Sequence, residues 1–177
     1  MCAEQIISFF EIGVKNATIN YMLIVVDTNI FVGACLGMGA SCEVVATCIK
    51  QEHVALMGTA LFSEYEDVLS RASLFKKSRL SNHERDELLN IFLSECRWTR
   101  IYFGWRPNLQ DEGDNHLVEL AVAGGASHIV TRNIRDLKTT ELIFPEISVV
   151  TPEKFLEEMR HGNGNDSTSA RRKTQTS

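Results

Sequence analysis

Four carboxylates stand where a fold could gather them: Asp27, Glu64, Asp114 and Asp136. Asp27 ends the apolar run Leu23, Ile24, Val25, Val26, and Asp136 lies in the loop after a second such run, His128 to Thr131. Glu64 lies at the border of a helical stripe of Leu61, Tyr65 and Val68. Asp114 precedes Leu117, Val118 and Ala121 by three, four and seven residues, so it continues their face one turn toward the N-terminus. Each alone has a plain alternative. Asp27, Thr28 or Asn29 suits a helix cap, Glu64 a solvated face, Asp114 the favourable end of a helix dipole, and Asp136 a turn. Acids converging on one point repel one another unless they are protonated or neutralised. A hard divalent cation, Mg2+ or Mn2+, neutralises them through oxygen ligands and keeps waters that a substrate can replace. Such an ion lowers the pKa of a bound water and stabilises charge building on a phosphate under in-line attack.

The elements that must position these acids follow from local pattern. Leu23 to Val26 is β-branched, apolar and too short for a helix, which predicts a central strand covered on both faces. Residues 29–36 predict a short helix broken at Gly37 and Gly39, and Ser41 fits the N-cap of a second helix through Lys50. His53 to Met57 predicts a second strand, and Thr59 to Ser70 a helix carrying Glu64. A basic segment (Lys76, Lys77, Arg79) leads to a helix capped by Ser81 or Asn82, with a stripe of Leu88, Leu89, Phe92 and Leu93. Trp98 to Phe103 predicts a third strand. A helix then starts near Asp114, with Asp111 as the better cap, and Gly124–Gly125 ends it. The His128–Thr131 strand, a loop with Arg132, Asn133, Arg135 and Asp136, a short strand Ile147 to Val150 and a helix opened by Pro152 complete the order. Strands alternating with helices predict a parallel sheet with helices on both faces, a single three-layer α/β/α domain over residues 22–160. All four acids then fall at one edge, beyond the C-terminal ends of the strands, where open α/β sheets place ligands.

Residues 1–21 form an extension whose patch Ile6 to Val14 fits either strand or helix, and Met22 fits a native start. The tail 161–177 lacks apolar residues and is expected to be disordered. A net charge of −5 argues against a protein that coats nucleic acid by bulk electrostatics, but an acidic cation site contributes just such a charge. Five cysteines (Cys2, Cys35, Cys42, Cys48, Cys96) without CxxC spacing predict reduced, buried thiols in a cytoplasmic protein. No apolar run approaches about 18 residues, which argues against a membrane span.

With these residues on the page the chain resembles the PIN domains from about Met22 to Phe155. It is most similar to the subgroup of bacterial and archaeal toxin components of toxin–antitoxin pairs, the VapC-like toxins. The segments that carry the likeness are VVDTNIF, TALFSEYEDVL, DEGDNHLVELA and HIVTRNIRDL. Many PIN domains have Asp two residues after the Thr of the last segment; here Asn133 stands there, and Asp136 is the next acid. The resemblance implies a metal-dependent endoribonuclease. It implies Asp27 and Asp114 as direct ligands of Mg2+ or Mn2+, and Glu64 and Asp136 as ligands directly or through water. Thr28, Asn29, Asp111, Thr131 and Asn133 would orient them. Arg132 and Arg135 beside the site, with Lys76, Lys77 and Arg79, are candidates to hold the RNA backbone. The implied partners are an RNA substrate, a cognate antitoxin protein and a second copy in a homodimer. The competing reading is a PIN-fold RNA- or protein-binding module without catalysis. A phosphatase using Asp27 as nucleophile would need a second Asp where Asn29 stands.

Overall fold

The computed structural model of the chain describes residues 21–102, 115–138 and 144–162, with the side chains of residues 136 and 138 outside that description. Five strands form one parallel sheet in the order β3-β2-β1-β4-β5: β1 (Leu23–Val26), β2 (Val54–Met57), β3 (Arg97–Trp98), β4 (His128–Val130) and β5 (Ser148–Val150). The helices are α1 (Thr28–Cys35), α2 (Gly39–Ile49), α3 (Thr59–Ser70), α4 (Asn82–Glu95), α5 (Asn115–Gly124), α6 (Ile134–Lys138) and α7 (Pro152–Gly162), with a 3-10 turn at Ala72–Phe75.

The register shows why the sheet is buried on both sides. Val25 pairs with Leu56 and with Ile129, so these three side chains share a face. α5 lies over that face so closely that a Cβ on Gly124 would sit 2.1 Å from Leu56 Cδ1. Ile24 and its partner His128 point the other way, where Phe155 of α7 sets its ring against His128 at 5.5 Å. α2 packs against α4 and α7 on that second side. Ile24, Val25, Val26, Ala55, Leu56, Met57, Ile129 and Val130 are all buried. Burying such larger aliphatic side chains contributes about 1.5–3 kcal/mol each. The expected three-layer α/β/α architecture with a central parallel sheet is the one observed.

Four local expectations differ. Ser41 does not cap α2; the helix starts at Gly39 with Met38 before it and no side-chain cap bond. Ser41 is instead fully buried, and its Oγ would lie 2.7 Å from a Cβ at Gly33, so the missing side chain there lets α1 and α2 meet closely. β3 is only two residues long. Thr99 still donates to Met57 O at 2.8 Å, but the chain then leaves the edge. The segment after β4 is not a loop throughout, because Ile134 and buried Leu137 give one apolar side of a helical turn, α6. α7 runs on to Gly162, past the expected start of the tail. Elsewhere the local signals hold. Ser81 caps α4 in a reciprocal box with Glu84, and Gly125 takes a left-handed φ of +67° just after α5. No single described helix is long and apolar enough to cross a membrane. The extension 1–20 and the tail 163–177 lie outside the described residues.

Candidate metal centre

β1 delivers Asp27 to the C-terminal edge of the sheet in an extended conformation, where it is also the N-cap of α1. Its carboxylate is the centre of a hydrogen-bond network. Oδ1 accepts from the Asn29 backbone N–H at 3.1 Å, and Oδ2 accepts from Asn29 Nδ2 at 2.6 Å and from the Thr131 hydroxyl at 2.5 Å. Thr131 is available because Val26 pairs with Val130, so the residues following β1 and β4 emerge side by side. Asn29 is held in turn: Nδ2 also reaches Thr131 Oγ1 at 3.1 Å, and its carbonyl oxygen accepts from the Arg132 backbone N–H at 3.1 Å. The Asn133 N–H donates to Thr131 Oγ1 at 2.9 Å, while the Asn133 side chain is exposed.

α3 brings the second acid. Tyr65, buried against Phe31 and Phe92, donates its hydroxyl to Val26 O at 2.9 Å and so pins α3 to the end of β1. Glu64, the neighbouring residue, thereby lies beside Asp27. The Thr28 hydroxyl spans the two acids, 2.7 Å from Glu64 Oε1 and 3.2 Å from Asp27 Oδ1. It has one proton, and the shorter distance assigns that proton to Glu64. The other Glu64 oxygen, Oε2, is 2.9 Å from His116 Nε2 in the first turn of α5.

The electrostatics of the two acids diverge. Burial raises the Asp27 proton affinity; hydrogen bonds from Thr131 and Asn29 oppose that rise, and the Glu64 charge adds to it. The close contact with His116 leads in holding the Glu64 carboxyl below its usual range, helped by Thr28 and by the charge of Arg71, against its own desolvation.

Asp27, Glu64, Thr28, Asn29 and Thr131 are therefore brought together. Asp111 and Asp114 lie outside the described residues, as does the Asp136 side chain on α6. Among the described residues no group of three His, Cys, Asp or Glu side chains closes around one point. The donor set nonetheless fits a hard divalent cation. Its candidate ligand atoms are carboxylate and hydroxyl oxygens, and Asp27 is an acid in low dielectric beside a second acid.

The basic residues divide. Arg132 is exposed, but its guanidinium is bonded to Ser41 Oγ and Glu153 Oε1, each at 3.1 Å, so it ties the turn after β4 to α2 and α7. Arg135 is exposed on α6. Lys77 and Arg79 line a cleft with Ala34, Cys35, Leu36 and Gly37 at the far end of α1. An eight-residue helix puts that cleft about 12 Å from the Asp27 end. Among the described cysteines Cys35, Cys42 and Cys48 are buried, Cys96 is half-buried, and none is in a disulfide. Burial pushes the Cys35 and Cys48 thiols up to about 12. Cys2 is outside the described residues. His116 is the site residue that sequence reasoning missed; its one signal was a histidine two positions after Asp114 in the sequence.

The fold and the site are thus a parallel α/β/α sheet with two adjacent acids beyond the C-terminal ends of its strands. The family model of the PIN domain matches residues 23–135, and the chain belongs to the PIN domain family. Members of that family are generally nucleases that use divalent metals. Two solved structures are similar in fold. PAE2754 from Pyrobaculum aerophilum aligns at TM-score 0.50 and 14% identity, over 82% of this chain and 99% of that one. VapBC2 from Rickettsia felis, bound to a DNA fragment from their promoter, aligns at TM-score 0.47 and 19% identity, over 72% of this chain and 97% of that one. No curated protein matches the chain in sequence.

Proposed function

We propose that this chain is a Mg2+- or Mn2+-dependent endoribonuclease, the toxin component of a toxin–antitoxin pair. The observation that carries the reading is the acid pair Asp27–Glu64, bridged by the Thr28 hydroxyl beyond the C-terminal ends of the strands of a PIN domain. Asp27 and Glu64, with Asp114 and Asp136, would hold the cation. When bound, the ion supplies an acidified water and a positive charge beside the scissile phosphate. The protein's own part is to keep the acids in place. Asn29 and Thr131 lock the Asp27 rotamer from both oxygens, and Thr28 keeps Glu64 next to it. Asn133 and the exposed Arg135 belong to the same edge, Asp111 would assist the acids, and Lys76, Lys77 and Arg79 would extend contact along the RNA backbone. The free thiols suit a reducing cytoplasm. The resemblance to the toxin subgroup extends the proposal to a small antitoxin and a homodimer.

The test is cleavage of RNA with Mg2+ or Mn2+ by wild type, Asp27→Asn and Asp114→Asn. Loss of a charge that steadies the transition state by several kcal/mol predicts a drop of at least about 100-fold in each variant. Cleavage without metal, or variants as active as wild type, would refute the nuclease. Because Asn133 stands where many PIN domains have Asp, a second reading remains, a module that binds RNA or protein and does not cut. Metal-independent RNA binding with no cleavage by wild type would select it.

A further inference from the structure

We propose that His116 is a positioning residue of the metal centre, fixing which oxygen Glu64 turns toward Asp27. This rests on the reading of the acid pair as a cation site. Glu64 sits on α3 with 37% of its side chain exposed, so an unrestrained carboxylate there would share its time between the site and solvent. Two partners from different elements remove that freedom. Thr28, from the start of α1, donates to Oε1 at 2.7 Å, and His116, from the start of α5, sets its Nε2 2.9 Å from Oε2. The imidazole side chain is only 15% exposed, and its helix is packed over β1, β2 and β4, so its Nε2 is a fixed point.

The consequence is directional. With Oε2 occupied by His116, the oxygen presented across the Thr28 hydroxyl to Asp27 Oδ1 is Oε1. A cation entering between the acids would find the pair already aligned. The role rests on this contact and needs no change of protonation. Orienting partners of this kind typically change metal affinity about 10- to 100-fold.

The experiment is Mn2+ binding to the full chain, followed by electron paramagnetic resonance of the free ion, with RNA cleavage measured in parallel. His116→Leu should weaken Mn2+ binding by about tenfold or more, while His116→Gln, which keeps an N–H donor, stays within about threefold of wild type. Cleavage by His116→Leu should recover at saturating Mn2+, with the KM for RNA unchanged. His116→Asn, polar but too short to reach Glu64, gives the same readout if the leucine variant does not fold. Unchanged Mn2+ affinity in the Leu and Asn variants would overturn the assignment, as would a Gln variant as weak as the Leu variant. A wild type that binds no Mn2+ overturns the cation-site reading itself, and this inference with it.

Discussion

At the N-terminal ends of the strands, His53 and His128 set their rings edge-on against Phe155, at 5.3 and 5.5 Å. His128 finds Ser127 Oγ at 2.8 Å on one nitrogen and Glu158 Oε2 at 3.3 Å on the other, and His53 Nδ1 accepts from the Met22 N–H at 3.4 Å. At the C-terminal ends, Asp27 and Glu64 also have polar partners on every oxygen, yet they remain two acids side by side. One end pairs its titratable groups with neutral or opposite partners. The other gives Glu64 a histidine and the nearby Arg71 charge, but surrounds Asp27 with hydrogen-bond donors and a second acid. Buried polar groups that close on themselves serve packing; an arrangement that orients charge without cancelling it is ready for a ligand that brings the missing charge.

The sharpest separation of the two ends is Phe155→Ala. The ring is fully buried between two histidines, and removing it should cost about 3–5 kcal/mol of stability. Mn2+ affinity of the remaining folded protein should not change. A thermal melt with and without Mn2+ checks both halves, and a parallel loss of metal affinity would mean that the ends are coupled.

Thr131→Val is the smaller counterpart at the acidic end. The fully buried hydroxyl donates to Asp27 and accepts from Asn29 and Asn133. Its loss leaves those groups short of a partner at about 1–3 kcal/mol, measured by denaturant unfolding. Unlike Phe155→Ala, it should also weaken Mn2+ binding, because Asp27 loses an orienting bond.

How much of this contrast was legible beforehand depended on whether a residue's role is local. Asp27 could be read because an apolar β-branched run stops abruptly at a carboxylate, and Glu64 because its angle on the helix is set by sequence alone. His116 could not, because its contact with Glu64 depends on how α5 docks beside α3, which no periodicity encodes. Arg132 shows the converse. Residue type suggests a contact for RNA, while the contacts to Ser41 and Glu153, from two other elements, become visible only in the fold. Ser41 itself was read as a cap from its type, whereas the space over Gly33 decides where it points. Asp114 and Asp136 carry half of the expected acid set and rest on the sequence pattern.

The two ends should also answer pH with opposite signs. Burial, with the nearby His128, lowers the His53 proton affinity, so folding excludes a proton that the unfolded chain takes up as pH falls below about 6.5. Relative to His53→Gln, the wild type should lose stability from pH 7 to 5. Asp27 is raised above 3.8, so the folded state binds a proton before the unfolded state does. Relative to Asp27→Asn, the metal-free wild type should gain stability as pH falls through the raised value. The opposing Glu64 contribution, lost as pH falls, belongs below 4.5 and is common to both proteins. Chemical denaturation of the three proteins at several pH values checks the signs, and equal slopes would erase the contrast.

The smallest effect is expected from one substitution made at the quiet end. Glu158 is about one-third exposed and faces His128 from α7, a geometry in which an ion pair contributes about 0–1 kcal/mol. Glu158→Gln keeps an acceptor for His128 Nε2, and the ring retains Ser127 on its other nitrogen. The thermal midpoint should therefore barely move. Glu64 has similar exposure and also faces a histidine, so the same change there removes the same charge from a similar contact. Yet Glu64→Gln should weaken Mn2+ binding by about tenfold or more, because that charge has Asp27 as its neighbour and a cation as its purpose. If the two glutamines behave alike in a Mn2+ titration, the sheet has two ordinary ends.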